Sequence, residues 1–282
     1  MAAKKKSRYY PVQSRIDLSG ATGGGIVIAP NVLSMINRRH YPATGVYECN
    51  IILNPVVAEG QHNVYVLKDN WDVIGAIRQA FQAYQVATAS ERSMLSKDQI
   101  ARWEDFRIAH GTGLTEMNPL VYNQGIGSTS LTLGEFELST VVDAAGNEKA
   151  FVIQGPSNSG QYNIMTQWSA AGNVQTDPVN LTAGAPYGEL EESHDATQSD
   201  NLQRDGNNPP YDAFGDDGIG SPWTKVATLT NAITGADGRI STGFFRAPLG
   251  MIIVTGTLPT SWGLLQVREG STKGIKVHNI LG

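Results

Sequence analysis

Between Thr44 and Pro55 the chain alternates: Tyr47, Cys49, Ile51 and Leu53 interleave with Val46, Glu48, Asn50 and Ile52. That is the period of a strand with one face in a core. Asn54 and Pro55 end it, and HNVYVL (62–67) follows as a second strand. Upstream, VQSRIDL (12–18) and GIVIAP (25–30) read as short extended segments on either side of the flexible SGATGGG, whose glycines permit backbone angles that other residues resist. From residue 128 onwards the strand signal returns. In TSLTLGEFELSTVV (129–142) the alternation shifts phase at Gly134, as a β-bulge there would require. KAFVIQ, QYNIMTQW, WTKVATLT, GRISTGFF, GMIIVTG, GLLQVRE and GIKVHNI are further candidates, separated by turn-rich pieces such as GPSNSG, GADG and GSTKG. The total is about ten or eleven strands, with no internal repeat.

One stretch changes period. After Asn70, a reasonable N-cap, Trp71, Ile74, Ile77, Phe81 and Tyr84 recur at three- and four-residue spacing, predicting an amphipathic helix with its apolar face on the sheet. A second helix is predicted over 96–111, where Ser96 and Gln99 match a capping box, Ile100, Trp103 and Phe106 or Arg107 follow at helical spacing, and Gly111 supplies the stop. The two make a helical insertion of about 70–110, with Trp71 and Trp103 read as core. Between about 170 and 222 the pattern fades into a long loop, which in a compact domain is usually functional or an interaction surface.

Forty per cent apolar and 17% charged residues describe a globular chain, and 31 glycines with 13 prolines imply many tight turns. The reading is mainly β: an antiparallel β-sandwich of jelly-roll type, with a short helical insertion and long loops. Residues 1–24 are read as a flexible basic arm and 25–282 as the jelly-roll domain. A single cysteine, Cys49, leaves no intrachain disulfide and reads as a core residue. No apolar h-region follows the charged start, and the aliphatic run Met251–Val254 is far below the ~20 residues of a membrane span, so neither a secretory signal nor membrane insertion is expected.

The net charge of −5 hides a strong asymmetry. Residues 1–41 carry Lys4, Lys5, Lys6, Arg8, Arg15, Arg38 and Arg39 against Asp17 alone, whereas 186–220 carry nine acids against Arg204. A polyanion would approach the first region and avoid the second. The seven basic residues are therefore the candidate nucleic-acid contacts, and Tyr41, next to Arg38, Arg39 and His40, is a candidate for stacking on a base; a polar turn before a strand is the competing reading.

Catalytic chemistry finds no foothold. The five histidines, His40, His62, His110, His194 and His278, show no metal-ligand spacing. GPSNSG, with Ser157 and Ser159, lacks the G-x-S-x-G elbow and reads as a turn. Gly23–Gly25 has no GK[ST] after it, and Pro30 is expected to forbid the helix a phosphate loop would need. The acids from Glu189 to Asp217 fit a solvated loop, with a carboxylate pair for glycan cleavage or Ca²⁺ at subunit interfaces as the alternatives. No catalytic residue, metal or other cofactor is assigned.

A short basic arm makes only four or five phosphate contacts and binds weakly alone. Many copies lining one closed surface would bind strongly. With KKKSR, the strand succession and GFFRAPLGMIIVTG (243–256), the chain resembles the single jelly-roll coat proteins of small icosahedral viruses, those with circular single-stranded DNA or with small RNA genomes. The arm is shorter than in many such families. The resemblance implies self-assembly into a homo-oligomeric shell, a packaged single-stranded genome, a virion location, a host receptor as a further partner, and no catalysis; assembly in nucleus or cytoplasm stays open. A shell needs contacts burying ~1,200–2,000 Å², which the helical insertion and the long loop offer. The arm is expected to face inwards and the acidic loop outwards or towards other subunits. A carbohydrate-binding or adhesion β-sandwich, a jelly-roll glycan hydrolase, and a tailed-phage coat protein with a long spine helix are the other readings.

Overall fold

The computed structural model describes residues 11–21, 23–53, 60–96, 100, 104–122, 128–132, 134, 136–143, 145–155, 160–172, 221–231, 240–256 and 261–281. The chain is mainly β. Residues 1–164 and 222–282 form one unit, which holds all the strands described; of the other, 165–221, the described part is Ser221 and the continuation of helix α3 (Ile164–Gly172).

Eight strands make up the sandwich: β1 (Arg15–Ser19), β2 (Gly25–Ile28), β3 (Gly45–Leu53), β4 (Gly60–Leu67), β5 (Trp223–Asn231), β6 (Phe245–Pro248), β7 (Met251–Thr255) and β8 (Ser261–Val267). One sheet runs β1-β8-β3-β6 and the other β5-β4-β7-β2, antiparallel throughout. The first also carries Val277–Asn279 on β3, and the second Thr115–Glu116 parallel to β2. The pairing is nested: β1 with β8, β2 with β7, β3 with β6, β4 with β5. A long antiparallel ribbon curled on itself gives these pairs.

Alternation decides which side chains meet. Ile16 and Leu18 of β1, Tyr47, Cys49, Ile51 and Leu53 of β3, and Leu265 and Val267 of β8 point inwards from the first sheet. They meet Val27, Val64, Val66, Leu229, Ile252 and Val254 from the second in one apolar cluster. Cys49 lies in this core, fully buried, as expected. Because β1 contributes Ile16 and Leu18 to it, residues 15–19 belong to the sandwich and not to an arm running to residue 24.

Pro30 does not block a helix. Ala29–Asn37 forms α1 with Pro30 in its first turn, where the missing N–H would have had no partner anyway and the ring presets φ. The helix is seated by the Leu249–Gly250 turn, which carries the chain from β6 to β7 with φ of +55° and +64°. Gly250 accepts from the Ala29 N–H at 2.8 Å. A Cβ on Gly250 would stand 2.4 Å from Pro30 Cδ, so only glycine fits this approach.

Residues 68–222 all fall between β4 and β5. The predicted cap holds: Asn70 Oδ1 accepts from Val73 N–H at 3.1 Å at the start of α2 (Trp71–Met94). Its buried face is Val73, Ala76, Ile77 and Ala80, while Trp71 is 56% exposed, so Trp71 is not core. The second helix is overturned over its described residues. Residues 104–111 are not helical, and Ala109 bridges Val152. Phe106, Arg107 and Ile108 are consecutive and all buried. Phe106 packs among Phe81 and Tyr84 of α2 and Phe151, with ring centroids 5.2–5.4 Å apart.

Other expectations shift similarly. Residues 131–139, as far as described, have no ladder, so the bulged strand across Gly134 is two short ones, Ser128–Ser130 and Thr140–Val142. QYNIMTQW is strand only to Asn163 and then α3, and the described part of GRISTGFF gives one bridge, Ser241 to Ile52, before Phe245 opens β6. Trp103, Ser157, Ser159, His194 and the acidic run Glu189–Asp217 lie outside the described residues.

Candidate nucleic-acid interface

Of the seven basic candidates, Lys4, Lys5, Lys6 and Arg8 lie outside the described residues. The other three follow closely on Gln13 and Asn37, two residues hydrogen-bonded to each other; Arg39 is half-buried beside Tyr41. Arg15 stands exposed at the head of β1, two residues on. Asn37, the last residue of α1, takes the Gln13 N–H on its Oδ1 at 2.7 Å and returns its Nδ2 to the Gln13 carbonyl at 3.2 Å. Arg38 and Arg39 follow directly. Arg38 is exposed in the left-handed conformation, φ +50°, and ends the helix. Sequence proximity placed these arginines near the arm; the Asn37–Gln13 pair is what fixes them there.

Tyr41 is corrected. It is fully buried, with its hydroxyl on the Lys273 carbonyl at 3.1 Å, and has no face for a base. The segment around it is locked from several sides. Lys273 Nζ donates to His40 O at 2.7 Å, and Tyr47 Oη donates to Pro42 O at 2.6 Å. Asp105 accepts from Ala43 N–H at 2.6 Å and faces His40 Nε2 at 3.3 Å. Burial pushes the Asp105 carboxyl up, but His40, the Ala43 N–H and Arg107 outweigh it and hold the group below the usual carboxylate range. The segment is thus a structural turn from His40 on, with Arg38 left to the surface.

The register then reveals cations that the sequence reading left out. On the outer face of the first sheet, Arg15 opposes Gln266, and Gln266 opposes Asn50. One step along, Arg246 opposes Glu48, and Arg268 N–H donates to Glu48 O. Glu48 is the hub of this row: Arg268 Nη1 lies 2.6 Å from it, His278 Nε2 3.5 Å, and Lys276 also pairs with it. Lys276 above all, opposed by burial, and then His278 and Arg268 hold Glu48's carboxyl below its ordinary range. One carboxylate therefore orders two permanent cations and a histidine, which leaves the cluster net positive. Arg246 is matched by Asp69 at 2.8 Å. The only advance signal was basic residues in GLLQVRE and GIKVHNI, because their convergence depends on β8 and Val277–Asn279 both lying on β3.

A cleft of about 1000 Å³ has a different character. Arg38 and Arg107 line it together with Glu91, Glu104, Asp105 and Glu137. The Arg107 guanidinium is already engaged, lying 3.9 Å from the Phe136 ring centroid with Nη1 on Asn31 Oδ1 at 3.0 Å. Four acids make it a poor seat for a polyanion.

Elsewhere His62 is buried in β4, and His110 Nδ1 is 2.8 Å from Thr112 Oγ1. Among the described residues no group of three or more His, Cys, Asp or Glu is placed to hold a metal ion. No helix among them is long and apolar enough to cross a membrane. Compared with protein-family models, with curated proteins and with solved structures, the chain matches none of them.

Proposed function

We propose that this chain is the coat protein of a small icosahedral virus: a jelly-roll subunit that assembles with copies of itself into a closed shell and packages a single-stranded DNA or RNA genome. The observation that carries the reading is the nested strand pairing, β1:β8, β2:β7, β3:β6 and β4:β5, joined to a basic arm rooted at its first strand. Such a wall element with its cations gathered at one corner suits a shell lined by many weak phosphate contacts. Lys4, Lys5, Lys6 and Arg8 on the arm, with Arg15, Arg38 and Arg39 at its root, neutralise the genome without reading its sequence.

The insertion between β4 and β5 supplies lateral contacts. The second half of α2 presents Val86 (78% exposed) and Met94 (83% exposed), uncovered by the other described residues, and buried interfaces of ~1,200–2,000 Å² need such surface. In this reading the chain does no catalysis, is found in the virion, and meets a host receptor through its outward loops.

Deleting residues 2–8 tests the division of labour. Shells should still form, because the sandwich and the insertion are intact, but should hold less nuclease-protected nucleic acid. Unchanged nucleic-acid content would remove the arm from the packaging role.

A further inference from the structure

Beside the arm root the outer face of the first sheet is hollowed into a shallow groove of about 510 Å³, lined by Gln13, Ser14, Arg15, Phe244, Gln266 and Arg268, with Glu269 at its margin. Phe244 is 42% exposed, unusual for so large an apolar ring. The Arg268 guanidinium stands 4.6 Å from its ring centroid while Nη1 is held by Glu48 at 2.6 Å. An aromatic ring and an arginine plane, both anchored and both open to solvent, are the elements on which single-stranded bases stack. Arg15 opposes Gln266, two positions before Arg268, which lies just past β8, so the two side chains rise from diagonal points about 7–8 Å apart. Glu269, the groove's carboxylate, accepts from Ser14 Oγ at 2.9 Å and repels an anion from that end.

We propose that this groove binds one nucleotide of a single strand, with its base on Phe244 and its phosphate between Arg15 and Arg268. The proposal deepens the packaging reading and rests on it for the identity of the polymer. Gln13 is at once the groove wall and the point where the arm leaves. A strand caught by Lys4, Lys5, Lys6 and Arg8 is therefore held at high local concentration beside Phe244. Both sugar types fit, because stacking on a ring and contact with phosphate use features common to DNA and RNA.

The test uses the full chain with the oligonucleotides dT20 and rU20. Ultraviolet cross-linking followed by peptide mapping should place an adduct on Phe244. Phe244→Ala should weaken binding by about 5- to 100-fold, the worth of one stacked base, with the salt slope unchanged, while Phe244→Tyr restores it. Arg15→Ala should instead lower the salt slope by about one. These residues are exposed, and an unchanged thermal melt verifies that each variant folds. Adducts confined to residues 1–10, or Phe244→Ala binding as the native chain does, would overturn the groove. So would a Phe244-dependent affinity for a poly-glutamate peptide without one for dT20 or rU20, which would make the site a protein contact. Electron microscopy separates the two claims: shells without a Phe244 adduct refute the groove alone, and a Phe244 adduct on a chain that never forms shells supports the groove and refutes the coat-protein reading.

Discussion

Asn37 and Gln13, 24 residues apart, exchange two hydrogen bonds: the Gln13 N–H to Asn37 Oδ1 at 2.7 Å, and Asn37 Nδ2 to the Gln13 carbonyl at 3.2 Å. One side-chain amide thus does for the arm root what a strand neighbour would do, and it ties the arm to the end of α1. Replacing Asn37 by Ala should raise hydrogen exchange at the Gln13 amide and hasten tryptic cleavage after Arg15. The pair is exposed, so the global cost should be about 1 kcal/mol. Unaltered exchange at Gln13 would show that something else holds the root.

The β1–β8–β3 register puts Ile16, Leu265 and Ile51 side by side facing the core, with Asp17, Leu264 and Ile52 on the opposite face. Leu265→Ala should cost about 2–5 kcal/mol in urea unfolding, and Leu264→Ala much less. Equal costs would mean the register is off by one, since a single-residue slip exchanges the two faces.

Cys49 is fully buried between the sheets, and burial pushes its thiol far up, with nearby Glu48 adding to the effect. A thiol reagent should fail to label the native protein and should label one site per chain in denaturant. Rapid native labelling would contradict the packing described.

Asp105 gives the fold an acid-sensitive clamp on the 40–44 turn. Its folded-state pKa lies below the unfolded value of ~3.9. Its contribution is therefore whole above that value and is lost as pH falls through the lower, folded one. The native chain should lose urea resistance as pH falls below about 4. Asp105→Asn should be less stable at pH 6 and show a shallower loss below pH 4. An identical acid profile in the variant would assign the loss to other groups.

Where a residue's role depended on near neighbours, it was legible. The alternation over residues 46–53 gave β3 its correct inner face, and Asn70 announced α2 because a cap acts three residues away. The β-sandwich class followed from such local signals. Pro30 was misread because one residue type serves both to break helices and to open them. Ile100, Trp103 and Phe106 or Arg107 carry helical spacing, yet Phe106 is enclosed by α2 on one side and Phe151 on another, and such tertiary packing overrides the local pattern. Of the proposed interface, Arg15, Arg38 and Arg39 could be named from charge alone. Tyr41 was lost to the core, and Arg268, Lys276, His278 and Phe244 were out of reach. Their meeting around Glu48 and the arm root depends on the nested pairing, which joins residues more than 200 positions apart.

The central claim is that many copies of this chain close into a shell around a single strand. Negative-stain microscopy of the purified full chain, with the 260/280 nm absorbance ratio before and after nuclease, tests it most directly. The account predicts uniform closed particles whose high absorbance ratio survives nuclease. Uniform monomers free of nucleic acid across salt and pH would contradict it.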